Sequence, residues 1–287
     1  MIDPSKIRFV CSKGGGVRIA AYAGAAIYLD DIGVLKKVEG FAGTSAGAIF
    51  STLAALGYSG YEIRDIILDY DFKKFEDKTL GSILTYPRDF GYCKGDYFLN
   101  VIQKHIKDKL GSKDATFYDL KKKGFKDLRV YSTELGSYQT CREFSFNESP
   151  HCPIAMAVRY SMSIPGIFKS LKYDGKYQID GGMTCNFPIH AFDKISTPDE
   201  VLGLFLFNKE ENEDFKPLKG WRPGKFIVQS FKASLKSQDI NFFKDEEEVK
   251  RTIILNTLGI SSTNFKITQE EKLRLIKSGY DCARVSF

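Results

Sequence analysis

EGFAGTSAGAIF, residues 39–50, places Ser45 between two small residues, Thr44 and Ala46, and two glycines, Gly43 and Gly47. The run before it, residues 38–42, is short and apolar and reads as a strand. Residues 46–56 have helical composition and stop at Gly57, so the serine sits on a strand–turn–helix junction. The pentapeptide satisfies G-x-S-x-G in the context that motif requires. A nucleophile on such an elbow has strand and helix pressed close on either side, and bulk at the flanking positions would collide. Small neighbours let the hydroxyl stand clear at the positive end of a helix. The same five residues also suit a glycine-rich turn whose serine only caps the helix, and the motif alone leaves both readings open.

A similar unit lies upstream. Residues 7–11 form a β-branched, apolar run that leads into Gly14-Gly15-Gly16 and then an alanine-rich stretch, residues 17–32. Three successive glycines can turn backbone N–H groups toward one point, and the helix behind adds its positive end. Arg18 follows directly. A nucleotide phosphate would suit such a loop, but no Gly-Lys-Ser/Thr ending is present and Ile19 breaks the last glycine of a dinucleotide fingerprint. Downstream, residues 177–182 (YQIDGG) deliver Asp180 from a short strand into Gly181 and Gly182. By itself this is an aspartate capping a turn. A hydroxyl nucleophile needs a base and an oxyanion cradle, however, and an anion-binding loop, a serine elbow and a strand-end aspartate together supply what acyl transfer requires.

The rest of the chain continues the alternation. Ser59 to Glu62 has capping-box spacing ahead of Ile63, Ile66 and Ile67. Residues 96–110 carry Phe98, Val101, Ile102, Ile106 and Leu110 on one helical stripe. Residues 128–133 and 142–146 read as strands, 153–162 as a helix that Pro165 ends, and 173–176 as a hairpin turn. Strands at 201–207 and 252–255 flank a helix at 225–235, and Thr268 caps a final helix bearing Leu273, Ile276 and Tyr280. Strands alternating with helices predict an α/β fold with a largely parallel sheet. No repeat or linker divides residues 1–287, so one domain is expected. Residues 71–95 mix charges, aromatics, Pro87 and glycines, which suggests an irregular excursion. Tyr86, Phe90, Tyr92, Tyr97 and Phe98 read there either as core or as a membrane-facing rim.

Composition narrows the class. The 287 residues are 43% hydrophobic and 27% charged, which is ordinary for a globular chain. The most apolar stretch near the N-terminus, residues 19–29, is too short to span a bilayer, so a cytoplasmic protein without signal peptide or membrane helix is expected. Six scattered cysteines match neither zinc spacing nor a disulfide framework and read as reduced thiols. The formal charge of +6 favours approach to anionic lipid or nucleic acid, although solvated lysine faces give the same signature. A single tryptophan, Trp221, and no recognised motif argue against nucleic acid. No metal or cofactor is expected, because no calcium-type cluster of hard oxygen ligands occurs.

At these residues the chain resembles the patatin-like phospholipases. Gly14-Gly15-Gly16-Val17-Arg18 is similar to the family's glycine-rich oxyanion segment with its basic residue, Gly43 to Gly47 to its nucleophile elbow, and Asp180-Gly181-Gly182 to its aspartate motif. The likeness extends to residues 161–168 (SMSIPGIF) and to Asn186-Phe187-Pro188. Ile19 and Tyr160 depart from it, standing where glycine and alanine are usual. Tyr160 at that position would narrow an acyl channel. The resemblance implies a three-layer α/β/α sandwich and a serine lipid acyl hydrolase of phospholipase A type, acting at a membrane surface. Its site would be a Ser45–Asp180 dyad, with Gly14, Gly15, Gly16 and Val17 as the oxyanion segment and Arg18, Gly43, Gly47, Gly181 and Gly182 in support. The order Ser45, Asp180, His190 leaves a triad as the rival, with His105 and His151 read as surface residues. A lipid-binding module with an idle site, and a general esterase or thioesterase, are the alternative functions.

Overall fold

The structure is a computed structural model that describes residues 2–78, 90–208 and 223–287. Its elements in chain order begin with β1 (Phe9–Ser12), α1 (Ala20–Asp31), α2 (Val34–Lys37), β2 (Gly40–Thr44), α3 (Ala46–Ala55) and α4 (Gly60–Asp69). They continue with α5 (Asp96–Leu110), α6 (Phe117–Lys122), β3 (Asp127–Glu134), β4 (Cys141–Phe144), α7 (Ile154–Ser161), β5 (Leu171–Tyr173) and β6 (Lys176–Asp180). The chain ends with β7 (Val201–Phe207), α8 (Pro223–Phe242), α9 (Glu246–Lys250), β8 (Thr252–Asn256) and α10 (Gln269–Ser286).

All eight strands join one sheet, paired along the path β5-β6-β3-β2-β1-β7-β8 with β4 also against β3. The pairs β1–β2, β1–β7, β2–β3 and β7–β8 are parallel, whereas β3–β4, β3–β6 and β5–β6 are antiparallel. The sheet is largely parallel, as the alternation predicts. The order of strand addition reverses at β1: β2 and β3 are added on one side, while β7 and β8 lie on the other. In open α/β sheets a crevice forms at such a switch point, beyond the carboxyl ends of the strands.

The two faces of the sheet are covered unequally. Alternate side chains of each strand enter different cores: Val10, Phe41, Val130, Leu204 and Ile253 point to one side, and Phe9, Cys11, Ala42, Tyr131 and Val201 to the other. The first side carries α1, α3 and α10. Helix α1 is buried almost all round and packs on α10 backbone to backbone; a Cβ at Gly24 would lie 1.9 Å from the Ile276 carbonyl. The second side is thinner, closed by turns around Ile189 and Phe192 and by α8, whose Phe242 ring stacks on Phe205 at 4.1 Å. Three layers result.

Local signals hold well. Ser59, Thr116 and Thr268 each form a capping box at the start of α4, α6 and α10, and the turn between β5 and β6 has Asp174 and Gly175 at φ 48° and 77°, as a tight hairpin requires. Helix α8 extends beyond the expected 225–235. The aromatic rim is not formed: Phe98 is 1% exposed and Tyr92 and Tyr97 pack against the core, so Phe90 is the exposed member among the described residues. Tyr86 lies outside the described residues. All six cysteines are free thiols, and among the described residues no helix is long and apolar enough to cross a membrane.

Candidate active site

Strand register brings Ser45 and Asp180 together. β4 pairs with β3 over Val130 to Thr133, overlapping the β3 residues paired with β2 (Asp127 to Tyr131) and those paired with β6 (Ser132 to Glu134). A strand has two edges, so β2 and β6 must share the edge that β4 leaves open. They run toward each other along it. The last residue of β2, Thr44, faces Tyr131, and the last residue of β6, Asp180, faces the next position, Ser132. The residue after Thr44 is the serine, so the two ends meet.

At that meeting point Ser45 Oγ donates to Asp180 Oδ2 at 2.8 Å. Ser45 has φ 54° and ψ −121°, a strained conformation for a residue with a side chain, and the surroundings hold it there. Its N–H donates to Ser161 Oγ at 2.8 Å, and that hydroxyl donates to the Tyr131 carbonyl at 2.5 Å. The glycines remove volume as expected: a Cβ on Gly43 would lie 2.3 Å from the Gly47 carbonyl oxygen, and one on Gly47 2.2 Å from that of Ser12. The residues after Ser161 complete the clamp. Met162 Sδ lies 3.4 Å from Ser45 Oγ, and the Ser163 carbonyl accepts from Asp180 N at 2.9 Å.

Asp180 is 1% exposed. Burial drives its pKa up to about 7 from the ordinary 3.8, outweighing the Gly182 N–H (2.7 Å) and the Ser45 hydroxyl, both of which favour the carboxylate. Removing water from around the charge leaves a carboxyl that exchanges its proton near neutrality.

The glycine loop lies beside the pair; a Cβ on Gly14 would be 3.4 Å from that of Ser45. Of the four residues expected to supply oxyanion donors, two are otherwise engaged. Gly14 N–H donates to the Asn186 carbonyl (2.9 Å) and Val17 N–H to the Ser262 carbonyl (3.0 Å), which ties down both ends of the loop. Gly15 and Gly16 keep N–H groups with no acceptor among the described residues. Arg18, 8% exposed, donates through Nε to the Gly15 carbonyl at 3.1 Å and so braces the loop.

A cavity of about 280 Å³ opens over these groups, at the switch point between β1 and β7. Its apolar wall includes Ile164, Phe207, Val228, Phe231 and Leu235, and its polar end includes Lys13, Arg18, Asn186 and Asn208. Tyr160 does not reach it. Its ring packs on Phe144 and Tyr173, away from the cavity lining, so it narrows no acyl channel. Ile19 is fully buried in the core.

The histidine triad is not assembled. His190 is bound through both ring nitrogens, Nδ1 to Asp193 and Nε2 to Glu248, on the surface beside Arg251. His151 is exposed, as expected, whereas His105 is half-buried against Tyr58 and Tyr70. Burial there holds its pKa below the usual value.

Helix α8 contributes what motif reading missed. Ser234 Oγ donates to the Met183 carbonyl (2.7 Å), Gln238 bonds both Gly182 and Asn186, and Asp239 pairs with buried Lys13 at 2.7 Å. Lys13 was visible as a cation ending an apolar strand just before three glycines. Nothing in the sequence distinguishes Gln238 from a solvated helix residue.

The family model for patatin-like phospholipase matches residues 10–193. The Bacillus subtilis (strain 168) protein YqhO is 31% identical over 287 residues, 93% of each chain. The probable lipid hydrolase 463L of invertebrate iridescent virus 6 is 29% identical over 195 residues, 66% of this chain and 64% of its own. The crystal structure of VipD from Legionella pneumophila superposes with a TM-score of 0.62 at 18% identity, over 98% of this chain and 66% of VipD, which shows the common fold. The matched segment holds the glycine loop, the serine elbow and the aspartate turn in order, and by that match the chain belongs to the patatin-like phospholipase family.

Proposed function

We propose that the protein is a serine lipid acyl hydrolase of phospholipase A type, working through a Ser45–Asp180 dyad. The observation that carries this reading is the 2.8 Å contact between Ser45 Oγ and a buried carboxylate. Asp180 takes the hydroxyl proton as Ser45 Oγ attacks the ester carbonyl carbon. The tetrahedral oxyanion accepts from Gly15 and Gly16 N–H, which no protein acceptor competes for, at the positive end of the helix that follows. Asp180 returns the proton to the departing lyso-lipid oxygen, leaving an acyl-enzyme. A water deprotonated by Asp180 then attacks the acyl carbon, and Ser45 leaves with that proton as the fatty acid is released.

The apolar residues lining the cavity suit an acyl chain, and Lys232 and Lys236 among its lining favour a phosphorylated head group. Ile240 and Phe243 line the cavity and are also 50% and 41% exposed. With Phe226 and Ile227 exposed further along α8, they support a lipid surface as the place of work, peripheral to a membrane. The family and the lipid hydrolase relative favour the same substrate class.

The deciding experiment treats purified protein with a fluorophosphonate probe and with phospholipid vesicles. Labelling confined to Ser45, and release of fatty acid that disappears in Ser45→Ala, are expected. Absence of an adduct in folded protein would leave a lipid-binding module, and turnover of short soluble esters without turnover of vesicles would leave a general esterase.

A further inference from the structure

The turn after Asp180, and through it the glycine loop, is fastened to one side chain of a helix outside the family-matched residues 10–193. Gln238 on α8 donates through Nε2 to the Gly182 carbonyl at 2.8 Å, and accepts through Oε1 from Asn186 N–H at 2.8 Å. From there the bonds continue inward on both sides. Gly182 N–H donates to Asp180 Oδ1 (2.7 Å), and the Asn186 carbonyl accepts from Gly14 N–H (2.9 Å) at the head of the glycine loop. One amide therefore joins the carboxylate turn to the segment carrying Gly15 and Gly16. Both ends of its polarity are used, with a carbonyl facing its NH2 group and an N–H facing its oxygen. The cavity lining includes Leu235 and Asp239 but not Gln238, so it acts through its neighbours and touches no substrate.

We propose that Gln238 is a positioning residue that sets the Asp180 turn and the glycine loop relative to each other, so that α8 governs the geometry of hydrolysis. The inference rests on the hydrolase reading of the site. Its chemistry makes distinct demands on substitutes. Gln238→Glu keeps an acceptor for Asn186 N–H but turns an anion toward the Gly182 carbonyl. Gln238→Met fills the same volume with neither group, and Gln238→Asn is one methylene too short to bridge.

The test measures ester hydrolysis by the full chain across pH 5 to 9. Gln238→Met is expected to lower kcat by about 10- to 100-fold with KM within about twofold, as misplacement of supporting groups does. The acid limb should move upward, because Gly182 N–H relaxes from Asp180 and the carboxylate loses a donor. A side chain that merely filled space would alter melting temperature and leave the limb in place. Activity and limb both matching the parent, or activity falling only with the folded fraction, overturns the proposal. A readout without catalysis separates this from failure of the hydrolase reading. The difference in melting temperature between the parent and Asp180→Asn, followed from pH 4 to 8, reports the carboxyl's pKa directly. If Gln238→Met leaves that pH dependence unchanged, Gln238 does not position Asp180, whether or not the protein hydrolyses lipid.

Discussion

Two glycine-rich turns, one after β1 and one after β2, look alike in sequence and do different things. Around Ser45 the glycines make room: Gly43 and Gly47 meet backbone atoms with no space for a Cβ, and the strained residue is the serine. In the loop after β1 Gly16 makes room too, at φ 58° and with a Cβ that would lie 2.0 Å from the Ser262 carbonyl oxygen, but the loop also offers polar groups. Its outer N–H groups at Gly14 and Val17 are bonded to Asn186 and Ser262, which leaves the inner two without an acceptor among the described residues, on glycines that line the cavity. The lesson is that a glycine in such a loop is interpretable only once its N–H and its missing Cβ are accounted for separately.

Substitutions can break the comparison at either turn. Ser45→Ala removes the nucleophile and is expected to lower kcat by about 10⁴-fold or more, measured as fatty-acid release from vesicles; residual turnover above one per cent would end the dyad mechanism. Gly43→Ala forces a Cβ against the backbone of α3 and should destabilise the fold by about 3 kcal/mol, read as a lowered denaturant midpoint. Gly15→Ala meets only the end of the Leu206 side chain, at 2.2 Å from Cδ1, with φ at −169°. It should therefore fold with a near-normal melting temperature yet lose about 100-fold in kcat as the donors shift. Equal losses of stability in both variants would erase the distinction.

Acid and base dependence sharpens the same contrast. With Asp180 titrating at about 7, kcat/KM should rise about tenfold per pH unit up to that point and level off above it. Folding responds oppositely. The neutral carboxyl favours the native state, an advantage whole below about pH 3.8, the ordinary value, and lost as pH rises through about 7. Asp180→Asn should accordingly melt higher than the parent at pH 8, with the gap closing toward pH 4. The smallest effect is expected at His190→Ala, within about twofold in kcat, because both ring nitrogens bind surface carboxylates. A loss as deep as that of Ser45→Ala would restore the triad.

Much of this was legible in the chain because it is local. The elbow, the triple glycine, the capping boxes at Ser59 and Thr268 and the hairpin turn each follow from a few adjacent residues and their backbone demands. What escaped notice depends on long-range pairing. That Gly15 and Gly16 are the free donors follows from where Asn186 and Ser262 fall, and Tyr160 faces an aromatic cluster because of its phase on α7. Whether the aromatics of residues 90–98 form rim or core depends on what packs over them, and Gln238 matters only because α8 lies across a turn more than fifty residues upstream.

The shared edge of β3 has a consequence for how such a chain tolerates change. Insertions in the exposed turn between β3 and β4, which carries Leu135 and Tyr138, lengthen a loop at small entropic expense and leave Ser45 and Asp180 where they are. Deleting a single residue inside β6 would turn its terminal carboxyl to the opposite side of the sheet. Length variation should therefore be freely accepted in that turn and strictly refused within the five residues of β6, so that the ladder of backbone bonds acts as the ruler for the chemistry.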